Sequence, residues 1–284
     1  LQIGGKNMLV NLKDILNIAE KGDRSFAVPA FNTYNMETVM GVAEAAEELN
    51  APVIIQSYSR LFNSDSGYYL SPIILTAAKK ARVPVCFHLD HGATELEVMH
   101  GIRYGCSGIM IDASKLPLAE NIEMTKRIST MCANVGIPVE GELGRIGSVN
   151  DISMGEFTSI QEAKSFVEQT NVTALAIMVG TAHGRYKKAP EIDIQRIADI
   201  KKEVSVFLVL HGGSGVPDEQ LQAAIKAGIR KVNFGTDICY SFLDKVFETS
   251  RDLIAVDLFM KGPVESVKKF AAEKIKLLGA ENKA

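Results

Sequence analysis

The chain has 284 residues, 46% of them hydrophobic and 23% charged, a balance that excludes wholesale disorder and allows a large core without staples. Thirty-one Lys and Arg against 34 Asp and Glu give a net charge of −3, which excludes a broad electrostatic footprint for nucleic acid but not a local phosphate pocket. No apolar run approaches the roughly 18 residues of a membrane span, and Cys86, Cys106, Cys132 and Cys239 are scattered without a CxxC pair. With no signal-peptide pattern either, the expectation is a soluble protein of the reducing cytoplasm, with LQIGGKN before Met8 read as a cloning remnant.

Short apolar runs alternate with longer amphipathic stretches. The predicted strands are Phe26–Asn32, Pro52–Tyr58, Val83–Asp90, Gly108–Ser114, Pro138–Gly144, Ala174–Gly180, Val206–Gly213 and Ile229–Asp237. Each is short and continuous, as strands covered on both faces should be. After the first, METVMGVAEAAEEL (36–49) has helical spacing, with Met36, Met40, Val42, Ala43 and Ala46 able to form one apolar stripe. Before the eighth, Pro217 sits at a first helical turn and Gly228 just past the end. Arg145–Thr158 is a long polar loop after strand 5, of the kind that serves as a lid or binding loop, and the stretch after Pro263 reads as one extra helix. Eight strands, each followed by a helical segment, point to an α/β fold, a (β/α)8 TIM barrel; a doubly wound open sheet is the rival that strand count leaves standing. No linker or low-complexity stretch divides the chain, so residues 1–284 read as a single domain.

In a parallel barrel the active site lies where the strands end. His88-Leu89-Asp90-His91-Gly92, Gly180-Thr181-Ala182-His183-Gly184 and His211-Gly212-Gly213-Ser214-Gly215 end the third, sixth and seventh predicted strands and hold four of the five histidines. Three imidazoles from three strand ends are the donor set of a catalytic Zn²⁺, which takes three protein ligands and keeps a position open. His91, His183 and His211 are therefore assigned to a metal, against the alternative of three separately hydrogen-bonded histidines. His88 shares a face with Asp90 and reads as core or as a supporting partner; His100, mid-helix, reads as solvated surface. Asp112 and Glu142, at the ends of strands 4 and 5, are either caps and ion-pair partners or a second, alternate cation site. The glycine-rich turns HGGSG and VNFGTD lie where barrels frequently bind phosphate. Gly212, Gly213 and Gly235 let an anion approach the backbone, and Ser214, Asn233 and Thr236 add side-chain contacts. A phosphorylated substrate follows. No lysine ends a strand where a Schiff base would form, Lys231 lying short of its loop, and GxSxG, HExxH, Walker A and GxGxxG are absent.

With HLDHG, MIDAS, GELGRIG, VGTAHGRY, LVLHGGSG and KVNFGTD in this order, the chain resembles the class II, zinc-dependent ketose-bisphosphate aldolases, most of all the fructose- and tagatose-bisphosphate group, from about Leu9 to Gly279. The resemblance implies zinc on His91, His183 and His211, Asp90 as catalytic acid/base, and Asp112 and Glu142 in a further metal site or in zinc movement. It places Gly184, Gly212, Ser214, Asn233 and Thr236 around the dihydroxyacetone-phosphate half of the substrate, with a monovalent cation (Na⁺ or K⁺) nearby. It also implies a homodimer or homotetramer. Asn32, which ends the first predicted strand, and Asp237 complete the candidate set.

Three departures from the family pattern bear on substrate identity. Asn150 stands where the mobile loop of relatives has a proton-shuttling glutamate, so Asp151 or a water serves instead, or substrate and rate differ. The chain reads Asn233-Phe234-Gly235-Thr236, with the acidic Asp237 one step later, where many fructose enzymes carry Asn-x-Asp-Thr. Strand 2 ends in Gln56-Ser57-Tyr58-Ser59-Arg60, and Arg60 either meets a second phosphate or a carboxylate on the aldehyde half or is a solvated loop charge. The expected activity is reversible aldol cleavage of a ketose 1,6-bisphosphate to dihydroxyacetone phosphate and an aldehyde such as glyceraldehyde 3-phosphate. The alternatives are a zinc aldolase acting on a different or singly phosphorylated ketose, and a non-catalytic barrel that binds metal and sugar phosphate. Asp90 argues against the last.

Overall fold

The computed structural model describes residues 8–21, 26–144, 146, 157–184, 186 and 188–284. Helix α1 (Leu12–Lys21) precedes β1 (Val28–Asn32), and α2 (Met36–Glu48) leads to β2 (Val53–Tyr58). A short α3 (Ser59–Phe62) and α4 (Asp65–Lys80) connect to β3 (Val85–Gly92), followed by α5 (Glu95–Arg103), β4 (Gly108–Ile111), α6 (Leu118–Ala133) and β5 (Val139–Leu143). Then come α7 (Ile160–Thr170), β6 (Ala174–Ile177), α8 (Ile194–Glu203), β7 (Phe207–Leu210), α9 (Asp218–Ala227) and β8 (Ile229–Phe234). The chain continues through α10 (Thr236–Glu248), α11 (Val256–Phe259) and α12 (Lys261–Leu277).

The strands pair in parallel, in chain order, and β8 returns to β1 with Val28 opposite Lys231 and Phe31 opposite Phe234. That last ladder closes the barrel and removes the open sheet. Nearly every strand residue is buried, because the helices cover the outer face and side chains fill the inner one. Strands 4, 6, 7 and 8 each stop three residues before their predicted ends, at Ile111, Ile177, Leu210 and Phe234. Past β6 and β7 the backbone turns at Gly180 (φ 112°) and Gly212 (φ 67°), and the residues beyond the ladder stand at the mouth. Among the described residues no helix is long and apolar enough to cross a membrane.

Helix α2 forms where the spacing predicts and begins at a capping box, Asn35 accepting from the Thr38 N–H while the Thr38 hydroxyl accepts from the Asn35 N–H. Its buried face is not the predicted one. Thr38, Val39, Val42, Ala45 and Ala46 are buried, while Met36 and Met40 are exposed and Ala43 is half-buried. The reason is α12, the predicted extra helix, which starts at Lys261 with Pro263 in its first turn and lies along α2. The two helices approach so closely that a Cβ on Gly41 would lie 2.7 Å from Val267 Cγ1 and 2.8 Å from the Val264 carbonyl oxygen. Beyond α12, the Ala27 N–H donates to the Leu278 carbonyl and the Asn282 N–H to that of Leu49, so the segment covers the seam between first and last strands. Gly41→Val is expected to overpack this contact and cost about 1–3 kcal/mol, measured as a lower urea midpoint at unchanged slope.

Candidate active site and metal centre

Regular strand alternation sends adjacent side chains to opposite faces, so Asp90 and His91 should not both reach the barrel mouth. The structure resolves this with a bulge: the register of β3 against β4 shifts between Leu89 and Gly92, and His91 takes a left-handed φ of 52°. A non-glycine residue there costs on the order of 1–3 kcal/mol, and such strain collects at functional sites. The turn brings His91 Nε2 to 3.0 Å from His211 Nδ1 and His91 Nδ1 to 2.8 Å from Asp112 Oδ2. His183, on the loop after β6, completes the cluster, its ring centroid 4.9 Å from that of His91 and 5.8 Å from that of His211.

Loops after β6 and β7 hold two of these rings. Gly212 passes so near Ala182 that a Cβ would overlap the Ala182 carbonyl oxygen, so no other residue fits that turn. The Tyr186 hydroxyl fastens the same pair of loops, accepting from the Ala182 N–H at 2.7 Å and lying 2.7 Å from the Ala182 and 3.0 Å from the Gly212 carbonyl oxygen.

Beneath the cluster, His211 Nε2 donates to Glu140 Oε1 at 2.8 Å, and Glu140 Oε2 is 2.9 Å from Lys231 Nζ and 3.4 Å from His88 Nε2. All four side chains are fully buried. Burial alone would raise the Glu140 pKa, but the Lys231 charge and the hydrogen bonds from His211 and His88 hold it well below the carboxylate range. Glu140 therefore fixes the His211 tautomer, leaving Nδ1 as the free nitrogen, as Asp112 does for Nε2 of His91. Two such nitrogens 3.0 Å apart need a proton or a cation between them. Burial opposes a charge on His91, yet the Asp90 charge, the Asp112 hydrogen bond and Glu142 raise its pKa to about 10, which favours a proton held between the two rings. Burial and the charges of His91 and His211 push His183 down to about 3, leaving it neutral with a lone pair to give.

The ligand atoms of His91, His183 and His211 lie within 4.8 Å of one another, and so do those of His91, Asp112 and Glu142. His91 belongs to both sets. The Ser114 hydroxyl sits between the carboxylates, 2.7 Å from Asp112 Oδ1 and 3.0 Å from Glu142 Oε1, and the Ile146 N–H reaches Glu142 Oε1 at 3.3 Å. Burial and the Asp112 charge raise the Glu142 pKa to about 8, whereas, against burial, the hydrogen bond and charge of His91 hold Asp112 well below the carboxylate range.

Asp90 is anchored from one side. Gln56 Nε2 donates to Asn32 Oδ1 at 2.9 Å, Asn32 Nδ2 donates to Asp90 Oδ2 at 2.7 Å, and Asn233 Nδ2 reaches Asp90 Oδ1 at 3.3 Å. Burial works against the charge, but His91, His211 and Lys231 keep the Asp90 carboxyl below its ordinary pKa and ionised.

These groups open into a cavity of about 710 Å³, within the range of small-ligand sites. Asn32, Arg60, Asp90, His91, Asp112 and His183 line it, together with Gly184, Gly212, Ser214, Asn233, Gly235 and Thr236. Gly213 and Asp237 stand behind this wall: the Gly213 N–H bonds the Asn233 carbonyl, and the Asp237 N–H reaches Ser214 Oγ at 3.3 Å. His211 and Glu142 are buried beneath it. Asn150 and Asp151 lie outside the described residues. His100 is half-buried rather than solvated, its Nδ1 2.9 Å from the Phe62 carbonyl oxygen, because α3 folds back over α5. Sequence reasoning passed over Gln56, Tyr186, Glu140 and the role of Lys231. A signal existed for the last two, since a charge inside a buried strand requires a partner, and β5 and β8 carry charges of opposite sign.

The sequence model of class-II fructose-bisphosphate aldolase matches residues 10–283. The chain belongs to this family. It is an aldolase, a carbon–carbon lyase, of a family that is generally metal-dependent. Among solved structures it is similar to the YdjI aldolase of Escherichia coli, with 34% identity over 97% of this chain and 99% of that one and a TM-score of 0.87. The fructose-bisphosphate aldolase of Campylobacter jejuni, 22% identical over 96% of this chain and 95% of that one, shares the fold with a TM-score of 0.81.

The histidine cluster fits a metal on its own chemistry: buried nitrogens converge, and two carboxylates, Glu140 and Asp112, occupy the outer N–H groups of His211 and His91, as is usual for metal-ligating histidine. Glu140→Gln, which leaves Lys231 without its counter-charge and weakens the hold on His211, is expected to lower metal affinity about 10- to 100-fold. Competition against a chromophoric chelator measures it, with circular dichroism checking the fold; unchanged affinity would separate Glu140 from the metal.

Proposed function

We propose that the protein is a zinc-dependent aldolase that reversibly cleaves a ketose 1,6-bisphosphate of the fructose or tagatose type between C3 and C4, giving dihydroxyacetone phosphate and glyceraldehyde 3-phosphate. The observation that carries this reading is the pairing of an ionised, anchored Asp90 with the three-histidine cluster, His91 Nε2 lying 3.9 Å from Asp90 Oδ1. Zinc is favoured among metals by the donor set, three imidazoles with carboxylates to the side.

His91, His183 and His211 would hold the ion, which when bound acts as a Lewis acid on the ketone and stabilises the charge that develops as C3–C4 breaks. The remaining work belongs to the chain. Asp90 takes the proton of the C4 hydroxyl in cleavage while C3 gains one from solvent; in condensation C3 gives its proton to solvent and Asp90 returns one to the C4 oxygen. Oδ1 is the oxygen suited to this, because Oδ2 is occupied by the short bond from Asn32 whereas Oδ1 has only the longer contacts to Asn233 and His91. The turns at Gly212 and Gly235, with Ser214 and Thr236, take the phosphate on C1, and this remote binding energy fixes the reacting carbons over the histidines. Asp112 and Glu142 offer a second position that shares His91.

Triose-phosphate release from fructose and tagatose 1,6-bisphosphates tests the reading, in protein as purified, after EDTA, and after zinc is restored. Cleavage lost to the chelator and regained with zinc is expected, and the ratio of rates selects the sugar. A zinc-loaded protein that cleaves neither would overturn it. Asp90→Ala is expected to retain its zinc while turnover falls by about 10²-fold or more; normal turnover would remove Asp90 from the mechanism.

A further inference from the structure

Two cations at the mouth of the cavity have no part in the chemistry above. Arg60, in the short α3 after β2, and Lys115, in the turn after β4, both line it. In a closed ring of eight strands, members four apart face one another. Arg60 after β2 thus stands across from Gly184 after β6, and Lys115 after β4 across from Gly235 and Thr236 after β8.

The two ends differ in kind. The glycine turns offer backbone N–H groups and the start of the thirteen-residue α10, whereas the segments after β2 and β4 offer cationic side chains. Arg82, Arg127, Arg196 and Arg230 each pair with a carboxylate within 3.2 Å, but among the described residues Arg60 and Lys115 pair with none. Arg60 is nonetheless held in place. Its guanidinium carbon lies 4.9 Å from the Tyr58 ring centroid and 5.7 Å from that of Tyr34, and the Tyr58 ring is 5.6 Å from that of His91. A guanidinium laid on aromatic faces keeps its N–H edge free and loses little freedom on meeting a planar or tetrahedral anion.

We infer that Arg60, with Lys115, holds an anionic group, a phosphate or a carboxylate, at the end of the substrate remote from the glycine turns, and that Arg60 thereby selects aldehydes carrying such a group. This rests on the aldol reading above, and the experiment separates the two. Zinc-loaded wild-type protein is first incubated with dihydroxyacetone phosphate in deuterium oxide. Failure to exchange at C3 removes the aldol reading and the subsite with it; exchange leaves the subsite alone at stake.

Condensation of dihydroxyacetone phosphate is then measured with glyceraldehyde 3-phosphate, with succinic semialdehyde as the carboxylate, and with uncharged glyceraldehyde. Arg60→Met keeps an apolar stem on the tyrosines and removes the charge; Arg60→Lys keeps the charge. The preference for an anionic over the uncharged aldehyde is expected to fall about 10- to 100-fold in Arg60→Met, through KM, with Arg60→Lys between it and the wild type. Whichever anionic aldehyde shows the fall identifies the group. A preference unmoved for both, including equal losses on all three aldehydes as a purely structural role would give, overturns the inference.

Discussion

Glu140 lies inside the barrel with no exposed surface, between Lys231 of β8 and His211 just past β7, and the orientation of the groups above it follows from those contacts. A lone carboxylate at that depth would be untenable; paired with an ammonium and two imidazoles it becomes a rigid footing. The arrangement has direction. Charge neutralisation happens at the bottom, between Glu140 and Lys231, so the upper nitrogen of His211 faces the mouth as an unprotonated donor. Asp112 performs the same service for His91 from the side. The pair of carboxylates, more than the histidines themselves, makes the cluster suited to a metal, because histidines free to turn would settle as hydrogen-bonded neighbours.

Backbone strain and side-chain chemistry meet at β3. A regular strand could present Asp90 or His91 to the cavity but not both, and the bulge spends some stability to present them together. Asn32 and Gln56 then hold the carboxylate from neighbouring strands, so its position is set by three strands of the closed ring rather than by one loop. Placement on strands suits a group that must return a proton to the place it came from. The rim opposite the glycine turns is built otherwise, from the short α3 and a turn, and its chemistry can change without disturbing the ring beneath.

Much of this was legible in the sequence, for identifiable reasons. Continuous apolar runs mark strands buried on both faces, and the clustering of histidines at three run ends marks the site end of a barrel. Closure was not legible, because pairing of β1 with β8 leaves no trace in either run. The buried face of α2 was misread because helical spacing gives the width of a stripe, while α12, far along the chain, decides which stripe is covered. Glu140 escaped notice because a charge inside a predicted strand carries its explanation on another strand, at Lys231. His91 was assigned to the site for its motif; the φ of 52° that makes the assignment physically possible cannot be read from letters.

Helix α12 and the residues after it join the two edges of the ring, lying on α2 and bonding to Ala27 and Leu49. These partners are separated by most of the chain, so the most distant contacts in sequence are the ones that seal the barrel. During synthesis the β1 edge has no β8 to pair with, and α2 no α12 to cover it, until nearly the whole chain has emerged. Cooperative stability waits for the final helix, and for that interval the nascent protein is exposed to edge pairing and capture by chaperones.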